Sequence, residues 1–272
     1  MHSKSTFNRL AQLAVVLLAA VTLKQYYSTA SVNQLRWILA PTTAIVEVIT
    51  GSQFHFEANA GYMNKEGTFL IAASCAGVNF LLTAFLMLSL RRVWLQRITA
   101  WKFIPAAALF AYVATLIANT VRISTALQLQ KTPLELSWLT GNQLHRLEGI
   151  FIYFGFLLLL FLIGERIASS SPDFPAGDST STSADGRTKN LLRQSAFPLL
   201  VYYATTIGIP IVTAAYRRGS VGPEFWEHLA FVSLTPLVLL VPVVILGFYR
   251  RTSVRMAHRR SPRSSHSCLA SR

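Results

Sequence analysis

Phe69–Leu90 reads FLIAASCAGVNFLLTAFLMLSL, 22 residues without a single charge. At about 1.5 Å per residue, a helix of that length crosses the roughly 30 Å hydrocarbon core of a bilayer. The stretch therefore predicts a transmembrane helix, with one reactive side chain, Cys75, near its start beside Ser74, Gly77 and Asn79. Further apolar runs lie to either side: Leu10–Leu23, Phe103–Thr120, Gly149–Ile163, Ala196–Ala215 and Leu229–Phe248. Arg36–Thr50 is apolar but too short to span, and it holds Pro41 and Glu47, which predicts an interfacial or re-entrant segment. The expected fold is all-α: a polytopic integral membrane helical bundle of about six transmembrane helices plus that segment.

Composition agrees with this reading. Of 272 residues, 52% are hydrophobic and only 13% charged, and the mean hydropathy is +0.43. The net charge of +14 does not gather on one face. Basic residues punctuate the apolar runs instead, as topology signals and contacts for anionic lipid, so nucleic acid is not the expected partner. With both termini inside, seventeen Lys and Arg fall inside and eight outside, which obeys the positive-inside rule. The two cysteines, Cys75 and Cys268, are predicted at opposite membrane faces, so no disulfide is expected and Cys268 reads as a reduced bystander. No CxxC or His/Cys ligand spacing occurs, and no metal or cofactor is expected. His55 and Glu57 form an H-x-E pair without a third ligand and read as solvated loop residues.

The chain divides at its composition shifts. Residues 1–30 form the N-terminal transmembrane helix. Tyr26 and Tyr27 look like interfacial anchors of an uncleaved helix, although Ser28-Thr29-Ala30 would also serve as a signal cleavage site. Residues 31–163 form the membrane core, with Gly51–Gly67 as a polar loop and Gln128–Asn142 as a second loop. Residues 164–195, rich in Ser, Thr, Pro, Gly and Asp, form a disordered cytoplasmic linker. Residues 196–249 hold the last two transmembrane helices, and 250–272 form a basic cytoplasmic tail suited to anionic lipids.

In this topology Cys75 lies about 9 Å, six residues, below the outer end of its helix. Arg122 stands at the outer end of the next span, and His145 four residues before the following one. Three helices thus bring a thiol, a guanidinium and an imidazole to one depth. A thiol is mostly protonated at neutral pH, and a neighbouring His or fixed positive charge favours the nucleophilic thiolate. On this reading Cys75 attacks an acyl carbon, His145 is general base and then acid, and Arg122 is oxyanion stabiliser or substrate clamp. Asn79 and Asn119, one turn from Cys75 and Arg122, can orient groups or add donors. Each residue taken singly also has a plainer reading: an inert packing thiol, a snorkelling arginine and an interfacial charge group.

Three stretches, SCAGVNF (Ser74–Phe80), ANTVRI (Ala118–Ile123) and HRLEGIFIYF (His145–Phe154), resemble the exosortase/archaeosortase family of membrane-embedded cysteine transpeptidases. The family pattern is a Cys in a CSG-like context, then N-x-x-R, then H-x-x-x-G, and all three occur here in that order. LAPTTAIVEVITGSQFHFEANAGY, upstream, most resembles the exosortase K branch. The resemblance implies that Cys75, Arg122 and His145 are the catalytic positions. It implies substrates that are exported proteins with a C-terminal sorting signal: a short motif, a membrane helix and a basic end. It also implies a multi-pass protein of the bacterial inner membrane with its active site near the periplasmic side. Ala76 stands where the family usually has Ser, so any hydroxyl role is absent there. The last two spans lie outside the matched stretches. The alternative from another class is a non-enzymatic scaffold or assembly factor for envelope polysaccharide export.

Overall fold

The structure, a computed structural model, describes residues 2–95, 101–131, 140–169, 196–208, 226–227 and 229–241. The apolar runs become helices: α1 (His2–Thr29), α2 (Arg36–Thr50), α3 (Val78–Leu95), α4 (Phe103–Lys131) and α5 (Gly141–Ser169). Two shorter apolar helices follow, α6 (Ala196–Gly208) and α7 (Leu229–Val241). Among the described residues four helical stretches are long and apolar enough to cross a membrane: Thr6–Thr29, Ala73–Val93, Phe103–Lys131 and Gln143–Ile167. The protein is a multi-pass helical membrane protein. Expected features at Arg97, the 170–195 linker, Arg217 and Arg218, the 250–272 tail and Cys268 lie outside the described residues.

Helix α3 is the centre of the bundle, packed against α1, α4 and α5. Of its apolar stretch 67% is buried, against 17% for that of α1, so α3 faces protein on nearly every side. Helix α4 turns small side chains inward, Ala107, Ala111, Thr115, Ala118 and Asn119, all buried. Small residues at four-residue spacing let helix backbones approach closely where lipid gives no hydrophobic drive to associate. Its other face, with Leu109, Phe110, Val113 and Ile117, is exposed and apolar, as lipid contact requires. Arg91 of α3 meets Glu165 of α5 in a two-pronged ion pair at 2.9 and 2.8 Å, which neutralises both charges where the two helices cross. Helix α6 docks on α3 through Thr83 and Thr205, 2.9 Å apart, and Tyr203 of α6 donates to the Ser233 carbonyl of α7.

Three expectations are corrected. Gly51–Gly67 is not a plain loop: Phe54–Glu57 (β1), Gly61–Asn64 (β2) and Leu70–Ile71 (β3) form an antiparallel sheet in the order β1-β2-β3. Glu47, polar in an otherwise apolar α2, ties that helix to the sheet by accepting from Phe54 N at 2.7 Å. Asn64 holds the turn into β3, its Oδ1 accepting from the backbone N–H groups of Thr68 and Phe69, each at 2.8 Å. The second correction concerns Cys75, which lies before the α-helix and not within it. It sits in a 3-10 turn, Ala73–Ala76, before Gly77 breaks the chain into the left-handed region at φ +68° and α3 begins. A side chain at Gly77 would also press on Thr115 Cγ2 at 3.2 Å and Asn119 Cγ at 3.3 Å, so the turn can rest on α4 only as glycine. The third correction is at the ends of α4 and α5, both longer than their apolar runs. Helix α4 continues past Arg122 to Lys131, and α5 starts at Gly141, so His145 is helical and no loop spans all of 128–142. Thr140 and Gln143 cap α5 reciprocally, Gln143 Oε1 accepting from Thr140 N at 2.8 Å and Thr140 Oγ1 from Gln143 N at 3.4 Å.

Candidate active site

The N-terminal ends of α3 and α5 and the last third of α4 meet at one end of the bundle. A cavity of about 410 Å3 opens there, lined by Cys75, Arg122 and His145 together with Phe69, Leu70, Ile123, Ala126 and Leu144. The three side chains singled out from sequence therefore share one wall. The Cys75 thiol makes no hydrogen bond among the described residues and is half-buried, facing the cavity rather than a partner.

The backbone around the thiol is held from α4. Asn119, fully buried, donates from Nδ2 to the Cys75 carbonyl at 2.5 Å. Its Oδ1 accepts from the Tyr153 hydroxyl at 2.8 Å, and Tyr153 in turn accepts from Arg122 Nη1 at 3.2 Å. A chain of three hydrogen bonds thus links the Arg122 guanidinium to the peptide of Cys75. The guanidinium also lies over the Tyr153 ring, 5.3 Å from its centroid, and Phe80 stacks on that ring at 5.2 Å. Arg122 reaches this place because Gly149 leaves room: a β-carbon there would stand 2.9 Å from Arg122 Nε. The glycine of the H-x-x-x-G pattern is thus a steric requirement of the arginine.

His145 bridges two charges. Its Nε2 is 3.5 Å from Arg122 Nη2, a long contact, and its Nδ1 is 3.2 Å from Glu148 Oε2, one turn along α5. Arg122 donates only, so in a neutral imidazole this contact places the Nε2 lone pair toward Arg122 and the proton on Nδ1, toward Glu148. The Glu148 side chain is 7% exposed, and neither of its oxygens has a hydrogen-bond partner among the described residues, so its contact with His145 is one of charge. A carboxylate so removed from water needs a nearby cation or N–H, here the imidazole and the Arg122 guanidinium. Nε2 thus faces Arg122, and the imidazole lines the same cavity as the Cys75 thiol.

Of the supporting residues, Asn119 is in the network and Asn79 is not. Asn79 accepts from Lys24 Nζ at 2.9 Å and lines a neighbouring cavity instead. Sequence reasoning did not single out Tyr153 and weighed Glu148 only as part of a surface charge group. A signal for Tyr153 exists: His145, Gly149 and Tyr153 recur at four-residue intervals, one face of α5. For Glu148 it is the three-residue spacing from His145. His55 and Glu57 lie on the exposed sheet, 3.0 Å apart, away from this cavity. Among the described residues no three His, Cys, Asp or Glu gather as a metal site.

A family model described as transmembrane exosortase matches residues 3–162, more than half of the chain, and spans every residue of the Cys75 network. No curated protein and no solved structure matches the chain.

Proposed function

The chain belongs to the transmembrane exosortase family, and from that premise we propose that it is a cysteine protease/transpeptidase that cleaves the C-terminal sorting signals of exported proteins. The supporting observation is that Cys75, Arg122 and His145, from three separate segments, line one cavity. In the proposed reaction His145 Nε2 takes the thiol proton as Cys75 Sγ attacks the scissile carbonyl carbon. The carbonyl π pair moves to oxygen, and the Arg122 guanidinium, fixed by Tyr153, stabilises that charge. The C–N bond then breaks, His145 returns the proton to the departing amine, and a thioester on Cys75 remains. An amine acceptor or water attacks the thioester carbonyl and expels the thiolate, which regains its proton. Glu148 and Asn119 are positioning residues, the first for the imidazole and the second for the cysteine peptide.

The setting belongs to the proposal too: the bacterial inner membrane, with the cavity near the periplasmic side, and substrates that end in a short motif, a membrane helix and a basic cluster. The test is to co-express such a substrate with Cys75→Ala, Arg122→Ala and His145→Ala variants and follow its electrophoretic size. Each variant is expected to leave the substrate at its precursor size. Mature-sized substrate with Cys75→Ala would refute the proposal.

A further inference from the structure

A second cavity of about 400 Å3 shares Arg122 with the thiol cavity. One end is polar and cationic, with Lys24, Arg122, Arg146, Ser74 and Asn79, while Leu82, Ile150, Leu157 and Val232 form apolar wall. Among the described residues no Asp or Glu lines it. Among the described residues none of the three cations has a carboxylate ion-pair partner. Lys24 is held by the neutral Asn79 oxygen, and Arg146 makes no hydrogen bond among the described residues. Glu148 interacts electrostatically with Arg122, but it sits against His145 and is no part of this wall. Lys24 and Arg146, with Arg122 beside them, face one space that no carboxylate lines among the described residues, which is costly at the end of apolar helices unless an anion joins them.

We propose that this cavity binds the headgroup phosphate of an anionic glycerophospholipid, with Lys24 and Arg146 as its own cations and Arg122 as the wall shared with the thiol cavity. The site goes beyond the proposed protease chemistry. Its apolar walls are what distinguish a lipid from a free phosphate, because an inorganic ion would leave Leu82, Leu157 and Val232 facing empty space. The surrounding helices also carry exposed apolar side chains, Leu159 on α5 and Leu234, Leu237 and Val238 on α7, so acyl chains leaving the cavity meet an apolar surface. The C-terminal helices gain a role that the family match does not give them. Tyr202, Thr205 and Thr206 of α6 and Val232 of α7 complete the cavity, and all four lie outside residues 3–162.

The test uses the full-length chain in detergent micelles, titrated with phosphatidylglycerol and, separately, with phosphatidylcholine and inorganic phosphate, reading the thermal unfolding midpoint. Phosphatidylglycerol is expected to raise the midpoint saturably, and the other two are not. The Lys24→Gln/Arg146→Gln double variant should weaken the apparent affinity by about tenfold or more, since each basic group at a membrane surface favours anionic lipid. A control removing the same charge from the tail, Arg259→Gln/Arg260→Gln, should retain the saturable response. Equal stabilisation by phosphatidylcholine or by phosphate overturns the proposal, as does an unchanged affinity in the double variant. So does competition by an acidic peptide with no effect of phosphatidylglycerol. If the double variant does not fold, native mass spectrometry of the wild-type chain decides. Preferential retention of phosphatidylglycerol supports the site, and indifferent retention overturns it. Because this readout needs no substrate, its failure is separable from a failure of Cys75 to process one.

Discussion

Gly149 shows how a residue without a side chain shapes a site. Its absent β-carbon is the space in which Arg122 Nε lies, 2.9 Å away, and the guanidinium then reaches Tyr153 and His145. Gly149→Ala separates placement from folding, because alanine is the better helix former by about 1 kcal/mol. The variant is expected to fold as well as the parent while its substrate processing falls by about tenfold or more, the cost of losing one charge-assisted contact. Normal processing, measured as precursor-to-mature ratio at matched protein level, would remove Gly149 and the placement of Arg122 from the account. Cys75, Arg122 and His145 were legible as residues because each is chemically conspicuous among apolar neighbours. Tyr153 was not, since a tyrosine amid Phe151, Phe154 and Phe156 reads as packing until its hydroxyl is seen between Asn119 and Arg122.

At the scale of elements, hydropathy placed the membrane helices but misjudged where α3 starts. Phe69–Gly77 is apolar or small throughout, and extended and helical backbone look alike in such a run. What separates them is Gly77, whose left-handed φ of +68° ends the 3-10 turn and puts the thiol before the helix instead of within it. The sheet was partly legible: Phe54-His55-Phe56-Glu57 alternates apolar and polar, the period of a strand, in a segment whose overall polarity suggests only a loop. Gly77→Ala tests the element boundary. It imposes a left-handed alanine, about 1–2 kcal/mol, and a β-carbon tight against Thr115 and Asn119. The unfolding midpoint in detergent should fall by several degrees, and the Cys75 peptide, no longer seated on Asn119, should lose processing as well. An unchanged midpoint would mean that the left-handed turn is not required.

Across the whole molecule the arrangement divides labour between layers. The most buried helix, α3, carries the Cys75 turn at its head, α4 supplies Asn119 and Arg122, and α5 supplies His145, Glu148, Gly149 and Tyr153. Helices α1, α6 and α7 close the second, cationic cavity that Arg122 also lines. The helical bundle was readable from composition because twenty-residue uncharged runs have few other uses. The contact of α6 with α3 was not readable, since it rests on two threonines 122 positions apart. What the account holds is that this bundle brings one sulfur to a substrate carbonyl and passes the acyl group through it. The most direct measurement is to trap the chain with its exported substrate in membranes, quench in acid, and map any hydroxylamine-sensitive adduct by mass spectrometry. The account predicts a thioester on Cys75 that vanishes in Cys75→Ala. Cleaved substrate accumulating with no acyl group ever found on that sulfur would contradict it.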